Sequence, residues 1–143
     1  MGRATAILFA KEGAKVVVAD INKERADNVV AEIDADGGTA MSILSNVAVE
    51  ADIQNLVDST VKNYGTLDIL VNNAGIMDSF IPAGAVTDEL WDKVFAINVT
   101  GPMRAIRKVL PMVTTEKSGV IINIASAGGL LGSRAGAAYT SSK

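Results

Sequence analysis

Two kinds of apolar segment alternate along this chain, and that alternation limits the folds open to it more than any single motif. Short runs with little polar interruption occur at Lys15–Asp20 (KVVVAD), Thr39–Asn46, Leu67–Val71 (LDILV) and Gly119–Ala125 (GVIINIA). Between them apolar residues recur every three or four positions: Ala26, Val29, Val30 and Ile33; Ile53, Leu56, Val57 and Val61; Leu90, Trp91, Val94, Phe95 and Ile97. Uniform runs suit strands covered on both faces, and helical spacing suits helices lying across them. The order predicts βαβ units in an α/β protein with a three-layer, doubly wound parallel sheet.

Glycine and proline punctuate this pattern. Gly13 ends a helix expected over Gly2–Glu12, Gly37-Gly38 ends the next, and Gly65 closes one over Val49–Tyr64. Thr87 opens a helix to Asn98 with an imperfect capping box. Gly101-Pro102 is expected to break or kink the chain, and Pro111 to interrupt a helix over Met103–Thr115. No composition shift marks a linker and no repeat has solenoid spacing, so residues 1–143 read as one domain.

Composition removes several chemistries. The chain has no Cys and no His. Disulfides, thiol catalysis, a Ser-His-Asp triad and a Cys/His zinc site are therefore excluded within it. Proton transfer near neutral pH falls to Tyr, Lys, Asp, Glu or water. A net charge of −3 offers no attraction to nucleic acid or anionic lipid. No apolar run approaches the roughly 18 residues of a membrane span, and the N-terminus does not read as a signal peptide. The expectation is a cytoplasmic protein without nucleic-acid or membrane partners.

Ligands of open parallel sheets bind beyond the carboxyl ends of the strands. Here those ends carry Asp20, Asn46, Asn72-Asn73-Ala74-Gly75 and Ser126. Asp20 is placed either to accept hydrogen bonds from a ribose or to cap the following helix. NNAG offers small residues for close approach of a flat ring, and equally makes an ordinary tight turn. Gly128-Gly129 with Gly132 lacks the Lys-Ser/Thr of a phosphate loop, and Asn98-Val99-Thr100 matches a glycosylation acceptor in a chain with no sign of secretion. Tyr139 and Lys143, four apart, share one helix face. A nearby ammonium favours the ionised phenol, which suits acid/base work, although a lone pair of this spacing also occurs on solvated surfaces.

Together these pieces resemble the short-chain dehydrogenase/reductase family. GRATAILFAKEGAKVVVAD, LDILVNNAGI, FAINVTGP and GVIINIASAGG are similar to that family in order and spacing, with YxxxK thirteen residues after Ser126. The resemblance covers the whole chain. It implies a Rossmann-like fold and an NAD(P)-dependent oxidoreductase moving hydride between nicotinamide and a carbonyl or alcohol, NAD being favoured over NADP. It implies Tyr139 as acid/base, Lys143 as the cation beside it and a ribose ligand, and Ser126 as the group that positions the substrate oxygen. Asn98 would hold a water linked to Lys143. Gly2, Asp20, Asn46, Val47, Asn73, Ala74, Gly75, Tyr139 and Lys143 would contact cofactor, with Asp20 favouring NAD. Asn46 departs from the family's usual Asp, which alters the expected adenine contact. Met77–Gly84 and Gly128–Gly136 would form part of the substrate wall.

The chain also opens where the family's glycine loop closes, Gly2 matching its last glycine, and stops at the YxxxK lysine. A chain truncated at both ends, and inactive by itself, is the expectation; homo-oligomerisation is expected of the full-length form. Two other readings are an interaction module that binds no cofactor and, less consistent with the Ser126, Tyr139 and Lys143 spacing, a flavodoxin-like binding protein.

Overall fold

In a computed structural model, residues 1–131 and 135–143 are described. Gly132 lies outside them. The chain divides into two compact units, Met1–Leu67 and Asp68–Lys143.

In the first unit, α1 (Gly2–Lys11) leads to β1 (Lys15–Asp20), α2 (Lys23–Ala35), β2 (Thr39–Leu44) and α3 (Glu50–Tyr64). β1 and β2 pair in parallel from Lys15 opposite Thr39 to Asp20 opposite Leu44. Side chains alternate across a strand. Val16 and Val18 accordingly face one way, and with Ala40, Ala6 and Ile7 they surround buried Ala10, Val29 and Ile33. This cluster joins α1 and α2 to the sheet; α3 packs against β1 through a separate set, in which Ile53, Val57 and Thr60 are buried. Gly38 has no room for a side chain, since a Cβ would lie 2.6 Å from Ile33 Cγ2.

In the second unit, β3 (Ile69–Asn72) and β4 (Val120–Asn123) pair in parallel, Ile69 opposite Val120 and Asn72 opposite Asn123. Between them run α4 (Asp88–Phe95), a π-helical stretch Ala96–Thr100, and α5 (Gly101–Glu116). Thr87 caps α4, its hydroxyl accepting from the Leu90 amide at 3.3 Å. Val94, Asn98, Gly101, Ala105 and Val109 form the buried stripe of this helical run. Trp91 and Phe95 stack, 4.6 Å between centroids. After β4 a 3-10 turn (Ala127–Gly129) precedes α6 (Ala137–Ser142).

The α/β class and parallel pairing agree with the sequence pattern. Among the described residues the hydrogen-bonded strand pairs are β1 with β2 in the first unit and β3 with β4 in the second. Gly101-Pro102 neither breaks nor ends a helix. Gly101 is right-handed helical (φ −56°, ψ −58°), and Pro102 follows directly on the wide π-helical turn, so the helical run passes through both. Pro111 is carried inside α5, which continues through it to Glu116. Asn46 lies past the end of β2, not within it. Its side-chain oxygen accepts from the Ala48 amide at 3.0 Å, and its own amide donates to Asp52 at 2.8 Å. Local turn bonds of this kind compete with strand pairing.

Candidate active site

In the first unit, Asp20 ends β1 with its side chain 34% exposed. Its Oδ1 accepts from the Asn22 amide at 2.8 Å and from Arg25 Nη2 at 2.7 Å. The cap of α2 is instead Asn22, whose Oδ1 accepts from the Arg25 amide at 2.9 Å. Asp20 thus shapes the turn after its strand and holds a guanidinium beside itself. Gly2 opens α1, and Val47 sits half-buried in the turn after β2.

The second unit carries Asn98, Ser126, Tyr139 and Lys143. Asn98 is buried within the π-helical stretch. Its Oδ1 accepts from the Ile76 amide at 2.9 Å, while Nδ2 donates to the Ile76 carbonyl at 3.0 Å and to Ser142 Oγ at 2.9 Å. The side chain therefore ties the segment after NNAG to α6. Asn73 makes a tight turn off β3, its amide donating to the Val71 carbonyl at 3.1 Å. At the NNAG corner, a Cβ on Gly75 would lie 3.3 Å from both Asn98 Oδ1 and Lys143 Nζ, so these two groups converge where only a hydrogen stands. Lys143 Nζ donates to the Ile124 carbonyl at 3.0 Å, which fixes its ammonium at the end of β4.

Ser126 opens the 3-10 turn, its hydroxyl oxygen accepting from the Gly128 amide at 3.1 Å. The hydroxyl keeps its proton to donate elsewhere. A Cβ on Gly128 would lie 3.4 Å from Ser126 Oγ and 3.5 Å from the Tyr139 ring, which places both around one glycine. Asn98 and Lys143 share a cleft wall with Asn72, Asn123 and Ala125, whereas Ser126 and Tyr139 do not line it. Asn72 Nδ2 donates to Asn123 Oδ1 at 2.8 Å across the strand ends. The sequence does not announce that amide pair, beyond the fact that both strands end in Asn.

Sequence reasoning also missed Asp78. It is fully buried, with its carboxylate against the start of α6. The only sign was an acidic residue in a segment otherwise read as substrate wall. Among the described residues no cluster of acidic side chains could hold a metal, and no helix is long and apolar enough to cross a membrane.

The chain is similar to known proteins along its whole length. The family model for short chain dehydrogenase matches residues 1–143. A short chain dehydrogenase/reductase of Colletotrichum higginsianum is 40% identical over 147 aligned residues, covering all of this chain and 54% of that protein. A 3-oxoacyl-[acyl-carrier-protein] reductase of Thermotoga maritima is 35% identical, covering all of this chain and 58% of that protein. The chain spans about half the length of the curated relatives it matches. Among solved structures, a metagenomic short-chain oxidoreductase in complex with NADP superposes with a TM-score of 0.94 at 34% identity, covering 99% of this chain and 64% of that one. NAD+-bound xylitol dehydrogenase gives 0.94 at 34% identity, covering 99% and 55%. The chain belongs to the short-chain dehydrogenase family.

Proposed function

We propose that this chain is part of a single NAD(P)-binding domain of an oxidoreductase whose full-length form moves hydride between a nicotinamide cofactor and a carbonyl or alcohol. The observation that carries the reading is the placement of side chains in the second unit. Ser126 and Tyr139 meet around Gly128, and Asn98 and Lys143 meet at Gly75. One centre with hydroxyls and one with an ammonium suit proton delivery to a substrate oxygen.

The residues present fit a dinucleotide. Ala74 and Gly75 are exposed at a strand end with no bulk to keep a flat ring away, and Asp20 offers a carboxylate to a ribose. When bound, the cofactor supplies or accepts the hydride. The chain's own part is narrower. Tyr139 gives a proton to, or takes one from, the substrate oxygen at its phenolic O–H. Ser126 donates its remaining hydroxyl proton to the same oxygen and orients it. Lys143, held by the Ile124 carbonyl, contributes positive charge beside Tyr139 and reaches for ribose hydroxyls. The Asn98 side chain keeps the Ile76 backbone and Ser142 in register, and Asn98 is the proposed holder of a water linked to Lys143. Gly2, Asn46 and Val47, with Asp20, are the proposed adenosine contacts, and Asn73, Ala74 and Gly75 the nicotinamide contacts. NAD is the proposed nucleotide, on the strength of Asp20. The proposed setting is a cytoplasmic homo-oligomer.

Fluorescence titration with NADH and NADPH, followed by turnover of a carbonyl panel, tests this. Tyr139→Phe keeps the ring and deletes the proton. Turnover should fall at least ~100-fold with nucleotide affinity unchanged. A Phe variant that turns over normally removes Tyr139 from the mechanism. Absence of nucleotide binding by the unaltered protein favours an interaction module.

A further inference from the structure

The helix that carries Tyr139 cannot cap itself. α6 has only six residues, and its N-cap, Gly136, has no side chain to receive the amides of the first turn. Short helices leave these N–H groups without intrahelical partners, and buried ones need acceptors. Here the acceptors come from a loop more than fifty residues earlier in the chain. Asp78 Oδ1 accepts from the Gly136 amide at 3.1 Å, and Oδ2 from the Tyr139 amide at 2.9 Å. The Ile81 carbonyl accepts from the Ala137 amide at 2.9 Å. Three first-turn donors thus end on the segment Asp78–Ile81.

That segment is itself held in an unusual shape. Ser79 and Phe80 are both left-handed, at φ 56° and 62°, a conformation that costs non-glycine residues energy unless their surroundings enforce it. The enforcing contacts are again those of Asp78. Its Oδ1 accepts from the Phe80 amide at 3.2 Å, and its carbonyl from the Ile81 amide at 3.2 Å. The match extends to Gly136. Its φ of −73° is open to any residue. Yet a Cβ there would lie 2.3–2.4 Å from the Asp78 carboxylate. Glycine at 136 is a demand of the carboxylate, not of the backbone angle.

We propose that Asp78 is a positioning residue for the reaction: its buried carboxylate, with Gly136, sets the place of Tyr139 by fastening the first turn of α6 to the loop that follows NNAG. The inference rests on the catalytic reading of Tyr139. Its structural half can be measured without activity.

The test uses Asp78→Asn, Asp78→Ala, Gly136→Ala and the Asp78→Ala/Gly136→Ala pair. Amide hydrogen exchange is read by NMR, and kcat and nucleotide KM are measured with NAD(P)H and a carbonyl, per folded molecule. In Asp78→Asn the side chain keeps its size and one acceptor oxygen. Exchange at whichever of Gly136 and Tyr139 then faces the amide nitrogen should quicken by at least about 10-fold, the scale of a lost cap, and at both in Asp78→Ala, while Ile33 and Val57 in the first unit keep their protection. Turnover should drop by at least about 10-fold with nucleotide KM unchanged, and further in Asp78→Ala. Gly136→Ala should cost less in the Asp78→Ala background than alone, because the colliding carboxylate has gone.

Unchanged Tyr139 exchange in both Asp78 variants overturns the proposal. So does full additivity of the Gly136 and Asp78 substitutions, or a turnover loss matched by loosening of the first unit. If Asp78→Ala does not fold, Asp78→Asn and Gly136→Ala decide by the same exchange readout. If the unaltered protein reduces no carbonyl with either nucleotide, the proposed activity fails, and exchange at Gly136 and Tyr139 still rules on the fastening.

Discussion

Nucleotide choice should respond to two neighbouring charges in opposite directions. In Asp20→Asn the substituted amide oxygen still accepts from the Asn22 backbone, so the turn after β1 is kept while one negative charge is removed. The Asp20 and Arg25 side chains are 34% and 64% exposed, so water screens both. With full water screening, the lower limit here, unit charges about 4 Å apart interact by about 1 kcal/mol. A 2′-phosphate carries about −1.5 to −2 charges. Asp20 should then disfavour it by at least about 1.5–2 kcal/mol, or roughly 10–30-fold in Kd. The ratio of NADPH to NADH Kd, from fluorescence titration in low salt, should fall by that factor in Asp20→Asn. Arg25→Ala should raise the ratio, because the guanidinium 2.7 Å from Asp20 now offsets part of its charge. Both effects should shrink toward 1 M salt, where the screening length is about 3 Å. An unchanged ratio in Asp20→Asn, or a shift of the same sign in Arg25→Ala, would refute the electrostatic reasoning.

Three further outcomes follow from packing and charge in the first unit. Ile33→Ala empties a site only 1% exposed and should lower unfolding free energy by about 2–5 kcal/mol in urea melts. Gly38→Ala forces a Cβ against Ile33 Cγ2 and should cost about 1–3 kcal/mol, less in an Ile33→Ala background, as paired melts would show. The side-chain hydrogen bond from the Arg3 guanidinium, and then its charge, hold the Glu32 carboxyl below the usual carboxylate range. Because that carboxyl is depressed on folding, its stabilising effect is present above its unfolded value and lost as pH falls through the folded one. In Arg3→Ala a carbon-detected titration of Glu32 should move back up toward the ordinary value.

The strands and most helices were legible because their signals are local. KVVVAD and VIIN have no helical alternative of adequate length, and Gly65 stops α3 at φ 85° where the sequence placed its end. What failed was the reading of proline and of long-range partners. Pro102 looked like a break, but the helical run continues through it, with the wide π-helical turn directly before it. Asn46 looked like strand until Asp52 and Ala48 were seen to take its hydrogen bonds. At the candidate site, Tyr139, Lys143, Ser126 and Asn98 were marked by motif spacing. Asp78 was not, because its partners at Gly136 and Tyr139 are backbone amides far along the chain, and an amide leaves no trace in side-chain identity. The sequence marked Asn98 but not the partners of its side chain, Ile76 and Ser142, which lie far from it along the chain.

The π-helical stretch Ala96–Thr100 has a consequence for counting. Val94 and Val109 are both fully buried although fifteen positions separate them. In an uninterrupted α-helix fifteen steps of about 100° overshoot four full turns by about 60°, which would swing Val109 away from the side that hides Val94. A single wide turn absorbs close to one extra residue, about 100° of rotation, and so more than offsets that overshoot, bringing Val109 within about 40° of Val94. The run from Asp88 to Glu116 is therefore matched to its surroundings by residue number as well as by residue type. Removing Val99 alone, an exposed side chain with little packing to lose, would take out that extra residue, let the stretch close to an ordinary α-helix and leave Ala105 and Val109 on the side that hides Val94.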